Sequence, residues 1–332
     1  MIPKETVPTS RDRFRKTMAY GMTDRAPYFE EGIRDEVIRT WKNQGLASRT
    51  ELEHRFPSDP REELEIDLEP RPKPQNWPCR KSDLKDYIRR LDPDDPTRLP
   101  EGWPGCIERW GENRPAVMLR VHRGFFLSMG VYGWKRFAEL MRLTVADPRF
   151  IREAMALAGE FAAVLADKVL QRTPVDAAVF SEPIGGNDRP LLSPAMYADL
   201  VLRSYRPLFD VLHRHDVPVI IFRTYANARI YIPTLLQWGF NCLWACEVNV
   251  AAMDYRDIRR EFGRDLRLIG GIDLDALRAG KDAIRREIEE KVPPLLAEGG
   301  YAPLADGRVR PDIPFAHYAC YREILGSVLT AR

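Results

Sequence analysis

The chain has 332 residues, 44% of them hydrophobic and 30% charged, enough for one large α/β domain or two ordinary ones whose core needs no disulfide or metal staple. Its 51 Lys and Arg nearly cancel its 49 Asp and Glu, so no global field draws nucleic acid. The opening MIPKETVPTSRDRFRK has no apolar signal core, no apolar run approaches a membrane span, and the five cysteines form no CxxC pair, which fits a reducing cytoplasm.

In chain order, the first predicted elements are an amphipathic helix, RDRFRKTMAYG (11–21), and a strand, APYFEE (26–31). Residues 57–115 then break the rhythm. PSDPREELEIDLEPRPKPQNWP and LDPDDPTRLPEGWPG are rich in proline, which is denied to helix interiors and central strands. This stretch reads as an elaborated loop over one mouth of the fold. From about 115 onward, short apolar runs alternate with amphipathic ones. The strands read as AVMLRV (116–121), DAAVF (176–180), PVIIF (218–222), NCLWAC (241–246), LRLIGGI (266–272) and GYAPLA (300–305). Cys242 and Cys246 sit in one of them as small core residues. Between the strands lie helices such as 193–215, with Ser193 as N-cap and Pro194 at the first position, and 282–299, stopped by Gly299 and Gly300. Alternation with continuous apolar strands predicts a parallel sheet buried on both faces. A doubly wound sheet should carry GxGxxG after its first strand, and none is present. A single (β/α)8 TIM barrel is therefore expected over 1–332.

Active sites of such barrels lie at the C-terminal ends of the strands. Glu30 and Glu31 end the first predicted strand, and Arg120, His122 and Arg123 end the next. Ser181 and Glu182 follow the third. Arg223, Tyr225 and Asn227 follow PVIIF, Glu247 follows the cysteine strand, Asp273 follows LIGGI, and Asp306 and Arg308 follow the last. Carboxylates and arginines at one mouth would make a charged pocket for an anionic or heteroatom-rich ligand. Glu182 and Glu247 read as site residues, because Glu is a poor N-cap. Asp273 reads equally as a cap or a site residue. Arg223 is a substrate ligand or an ion-pair partner of either Glu, and Tyr225 is core or pocket lining. His317, within a helix pattern, reads as structural. His213 and His215 favour a helix C-terminus, and His54 lies in an exposed charged run.

Several segments together carry a resemblance: RDRFRKTMAYGMTDRAPYFE, DPDDPTRLP, PLLSPAMY, WGFNCLWACEV with MDYRDIRREFGRDLRLIGGID, and EGGYAPLADGRVRPDIPFAHY. In order and spacing over nearly the whole chain, they resemble the uroporphyrinogen decarboxylase superfamily. Its members include porphyrinogen decarboxylases and zinc methyltransferases that serve corrinoids. The resemblance implies a (β/α)8 barrel with its site at the C-terminal mouth. The zinc branch places His-x-Cys after the strand that here reads PVIIF, plus a later Cys. This chain has Arg223-Thr224-Tyr225 and Ala305-Asp306-Gly307 there, and a guanidinium repels a cation. The arginine-bearing RQAGR-type segment of true porphyrinogen decarboxylases is replaced by YFEEGIRDE, with Arg34 as its only echo. Glu182, Asn227, Glu247, Asp273 and Asp306 look retained relative to the uncharacterised branch.

The expectation is a metal-independent, decarboxylase-like enzyme, working by decarboxylation or proton transfer on a small anionic organic substrate. Glu182, Glu247 and Asp273 would do acid–base or orienting work. Glu30, Arg123, Arg223, Tyr225, Asn227, Asp306 and Arg308 would line the substrate site, with no resident metal or cofactor. The alternatives are a methyltransferase or O-demethylase component paired with a corrinoid protein, and a non-catalytic ligand-binding barrel. No membrane or nucleic-acid partner is expected. Barrels of this superfamily often pair, so a homodimer is possible.

Overall fold

The computed structural model describes residues 7–103, 105–110, 114–186, 188, 190–246 and 252–331. Among the described residues, seven strands follow one another: β1 (Arg61–Glu65), β2 (Ala116–His122), β3 (Ala177–Glu182), β4 (Val219–Thr224), β5 (Cys242–Ala245), β6 (Arg267–Ile272) and β7 (Tyr301–Ala305). The chain divides into two compact units. One comprises Met1–Glu62, Glu112–Ala116 and Cys242–Arg332, and the other Glu63–Gly111 and Val117–Asn241. No helix among the described residues is long and apolar enough to cross a membrane.

The unit holding Val117–Asn241 is built on the parallel ladders β2–β3 and β3–β4. Their side chains are buried almost throughout, as expected of strands covered on both faces. Asp176 ties two of them together, its carboxylate accepting the Val117 N–H at 3.0 Å while its own N–H reaches the Val117 carbonyl. The 23-residue helix Pro148–Leu170 starts at Asp147, whose side chain accepts the Phe150 N–H, with Pro148 at its first turn. Its Gly159 is required by close approach, since a Cβ there would lie 1.9 Å from the Ser204 carbonyl oxygen. Phe180, Phe209, Phe222 and Phe240 pack edge-on or stacked behind the strands.

The other unit carries the ladders β5–β6 and β6–β7, also parallel. Tyr255 pins the first, its hydroxyl donating to the Ile269 carbonyl and accepting the Ala245 N–H. The helix Ser10–Met18 opens on a capping box between Thr9 and Asp12. Asp24 and Asp59 both hold Arg13.

Both units are mixed α/β with the parallel strand–helix alternation read from the sequence, but four expectations change. Residues 26–31 form no strand. Pro27 has no N–H to give a ladder, and Tyr28 bonds Asp59 through both its backbone N–H and its carbonyl. The stretch 57–115 is not mere loop, because it contains β1, the helices Leu84–Ile88 and Cys106–Trp110 and two 3-10 turns. The helix expected over 193–215 is two, Pro194–Leu200 and Arg206–Arg214, joined by a 3-10 turn after Val201. The helix Lys281–Glu298 keeps its course through Pro293 and Pro294. Finally, β2, β3 and β4 run one or two residues further than their apolar runs, so His122, Ser181, Glu182 and Arg223 lie within the strands.

Gly159→Ala is expected to cost about 1–3 kcal/mol through overpacking against backbone that cannot yield. It should lower the urea midpoint with an unchanged m-value. An unaltered midpoint would mean that the helix can move away from Ser204.

Candidate functional site

The site begins with an alternation in the sequence. Between 61 and 69 the chain reads Arg-Glu-Glu-Leu-Glu-Ile-Asp-Leu-Glu, with acids at 63, 65, 67 and 69 separated by Leu64, Ile66 and Leu68. This is the two-residue period of a strand. Leu64 and Ile66 are buried, and each alternate acid takes an arginine. Glu63 stands 3.4 Å from Arg223, Glu65 2.7 Å from Arg120 and Glu69 2.6 Å from Arg123, while Asp67 pairs with Arg71. The segment beyond β1 is held from behind by Arg98, which is 1% exposed and donates to the carbonyls of Asp67, Glu69 and Arg90.

A cavity of about 310 Å³ opens among these groups, lined by Glu65, Asp67, Glu69, Arg120, Arg123 and Ser181, with His122 and the apolar Ile66, Leu68 and Leu127 completing its walls. It lies at the C-terminal ends of β2 and β3, where parallel sheets bind ligands. Tyr132 bridges Arg123 and Glu69, accepting from the first and donating to the second at 2.5 Å. Burial, then the Glu69 hydrogen bond, raises the Tyr132 hydroxyl above its ordinary 10.0, so it keeps its proton at neutrality. Neither Glu69 Oε2 nor Arg123 Nε has a hydrogen-bond partner among the described residues. A buried polar atom left so costs about 1–3 kcal/mol.

Arg123 is set by the turn that follows it. Gly124 has φ +86°, and a Cβ there would sit 2.3 Å from the Ser181 carbonyl oxygen, so only glycine fits. The next two amides each end on a buried side chain. Gly124 N–H donates to His122 Nδ1 at 3.0 Å, and Phe125 N–H donates to Glu182 Oε2 at 3.2 Å. Accepting at Nδ1 leaves the ring proton on Nε2. Burial, with the nearby Arg123 charge, pushes His122 from 6.5 down to about 3, so the ring is neutral. Glu182 is fully buried, and burial pushes it from 4.5 up to about 7, against the pull of hydrogen bonds from Tyr205 and Phe125. Tyr197 stands beside the same carboxyl, with its hydroxyl outside good hydrogen-bond geometry. The Tyr205 ring lies 4.4 Å from that of His122.

Of the residues expected from the sequence, Arg123 lines this cavity, and Glu182 holds the turn beside it without lining it. Arg223 is buried, paired with Glu63, and lies 5.9 Å from the Tyr225 ring. Tyr225 is 39% exposed. Asn227 closes its own loop, its side-chain oxygen accepting the Arg229 N–H and its backbone N–H reaching Gly186. In the other unit, Asp273 caps the helix Leu274–Ala279 through the Asp275 N–H, and Asp306 accepts the Leu274 N–H at 3.2 Å. Glu30 accepts from Tyr318 at 2.8 Å and faces Arg322 at 3.5 Å, while Arg308 is exposed. Glu247 lies outside the described residues. His317 Nδ1 contacts the Leu277 carbonyl, a structural role, and His215 meets Asp167 at 2.7 Å. Sequence reasoning passed over Glu65, Asp67 and Glu69. The alternation they form was the available signal, masked by the prolines around it. Among the described residues, no three of His, Cys, Asp and Glu come together as metal ligands.

A family model described as Uroporphyrinogen decarboxylase (URO-D) matches residues 126–303, more than half of the chain. The match includes Ser181, Glu182 and Arg223 and begins after Arg123. No curated protein matches the chain.

The two buried titrating groups oppose each other in pH. Between about 4.5 and 7 the unfolded chain ionises Glu182 while the folded one keeps its proton, so the stability from this group falls as pH rises. Between about 3 and 6.5 the unfolded chain protonates His122 while the folded one does not, so that contribution rises with pH. Comparing the wild type with Glu182→Gln cancels the histidine. Urea unfolding at pH 5 and pH 8 should show the variant gaining on the wild type by on the order of 2–3 kcal/mol at the higher pH. A difference independent of pH would contradict a buried, proton-holding Glu182.

Proposed function

The chain belongs to the uroporphyrinogen decarboxylase family, and from that premise we propose that it is an enzyme acting on a small organic acid by metal-independent decarboxylation or proton transfer. The parallel strand–helix repeats of both units support a (β/α)8 barrel as its frame. The observation that carries the reading is the pair Arg120 and Arg123 lining one 310 Å³ cavity at strand ends, beside the Ser181 hydroxyl.

In this reading the substrate carboxylate docks against Arg123 and Arg120, sharing them with the acids already there. Ile66, Leu68 and Leu127 exclude water and strengthen each charged contact. In decarboxylation the bond to the carboxylate carbon breaks, carbon dioxide leaves, and the electron pair stays on the substrate carbon until a proton reaches it. Tyr132 stands outside the lining, but it is protonated and donates to Glu69, which lines the cavity; it is the group we assign to supply that proton, passed on through Glu69. Glu182 and His122 are positioning residues, acting on Arg123 through the turn, and His122 also forms part of the cavity wall.

The zinc of the family's methyltransferase branch does not fit the residues present. Arg223, 3.4 Å from Glu63, stands where that branch needs an imidazole, and Tyr225 where it needs a thiolate.

Carbon dioxide release across a panel of aliphatic, aromatic, hydroxy and amino carboxylic acids tests the reading. The substrate that turns over should lose at least 100-fold in kcat/KM in Arg123→Ala, on the order expected for a lost charge-stabilising group. In Tyr132→Phe it should lose kcat with little change in KM. Undiminished turnover in Arg123→Ala would overturn the assignment of this cavity.

A further inference from the structure

The cavity's arginines are already occupied. Arg120 holds Glu65 at 2.7 Å and Arg123 holds Glu69 at 2.6 Å. Asp67 also lines the wall, with Arg71 as its partner. The lining thus carries three carboxylates against two guanidiniums, with a third guanidinium just outside it, which is close to electrical neutrality. Such a pocket does not welcome a second negative charge, because a polyanion would face three resident acids at short range.

A single carboxylate is a different matter. Arg123 still has Nε without a partner, and Glu69 still has Oε2 without one. They belong to the two ends of one ion pair, so an unused donor and an unused acceptor, both shielded from solvent, flank the same contact and come within a ligand's reach when the two side chains turn toward the cavity. A ligand that offers an acceptor to the first and a donor to the second satisfies both, and its positive end offsets the repulsion between its carboxylate and Glu69. The volume, about 310 Å³, lies at the low end of the roughly 300–1,000 Å³ of small-molecule sites, so the ligand is small. Ile66, Leu68 and Leu127 give it an apolar wall.

We propose that this cavity selects a small amino carboxylate with an apolar side chain, with Glu69 as the residue that reads the amino group and turns away polyanions. The proposal rests on the functional reading above and deepens it, by naming the substrate class of that same site. The carboxylate goes to Arg123 and Arg120, the ammonium to Glu69, and the hydrocarbon to the Leu127 side. Glu69 is able to do this because Arg98 fixes its backbone from behind through the Glu69 carbonyl and Tyr132 fixes one of its oxygens, leaving the other free to turn to the ligand.

The test is calorimetric titration of the full chain with L-leucine, with 4-methylpentanoate (the same skeleton without the amine) and with succinate. Wild type is expected to bind leucine at least tenfold more tightly than either of the others. In Glu69→Gln that preference should shrink to within about threefold, and in Arg123→Ala binding of all three should be lost, each variant melting within a few degrees of wild type. Arg123→Lys keeps a charge at the position should the alanine variant fail to fold, and is expected to weaken leucine binding without abolishing the preference. If 4-methylpentanoate or succinate binds as tightly as leucine and Arg123→Ala removes that binding, the amino-carboxylate inference falls while the cavity assignment stands. If leucine binds and Arg123→Ala leaves it unchanged, the cavity assignment itself falls. Absence of heat with all three overturns the inference.

Discussion

The site rests on a stripe of acids. Glu63, Glu65, Asp67 and Glu69 occupy alternate positions, and each meets an arginine, at Arg223, Arg120, Arg71 and Arg123 respectively. A strand of charged residues would ordinarily be a poor candidate for the wall of a pocket, since isolated charges lose their hydration when covered. Pairing removes that objection, and the intervening Leu64 and Ile66 supply the buried face that keeps the segment in place. The same pairing fixes the chemistry of the cavity, because its cations are present but never bare.

The second layer of control lies in and beside the cavity wall, His122 lining it and Glu182 standing next to it. His122 and Glu182 each accept one amide of the turn after Arg123, and both are held away from their ordinary protonation by burial. Neutral histidine and proton-bearing glutamate are the forms that a dry interior tolerates. In the proposed reading, two residues that look like a catalytic acid and base serve as a scaffold for a neighbour. The short contact from Tyr205 and the glycine requirement at Gly124 belong to the same scaffold. Glu182 and Tyr205 lie inside the region shared with the family, whereas Glu65, Glu69 and the turn from His122 to Phe125 precede the match.

Much of the frame was legible in the sequence, because apolar β-branched runs bounded by turn residues have few other uses. Six expected strands appear within one or two residues of their predicted ends. The failures share a cause. β1 carries no apolar run, since its side chains are spent on ion pairs, and the proline-rich surroundings hid its period-two pattern. The run 26–31 has the apolar pattern but gives its backbone to Asp59 instead of a ladder. At the site, Arg123 was legible from position alone, as a residue following a strand. Glu182 was also found by position, but not its direction. Alternation decides which face a side chain takes, and the extension of β3 by two residues beyond its apolar run was not readable. Asp273 had two readings, cap or site residue, and its contact with the Asp275 N–H shows the cap.

The most direct measurement is a double-mutant cycle on Arg123 and Glu69, using Arg123→Ala, Glu69→Ala and the double variant in urea unfolding at low and high salt. With Arg123 largely buried and Glu69 partly so, the account predicts a favourable coupling of about 1 kcal/mol that weakens in salt. Strict additivity of the two substitutions would contradict it, since the acid stripe would then not be holding the arginines of the cavity.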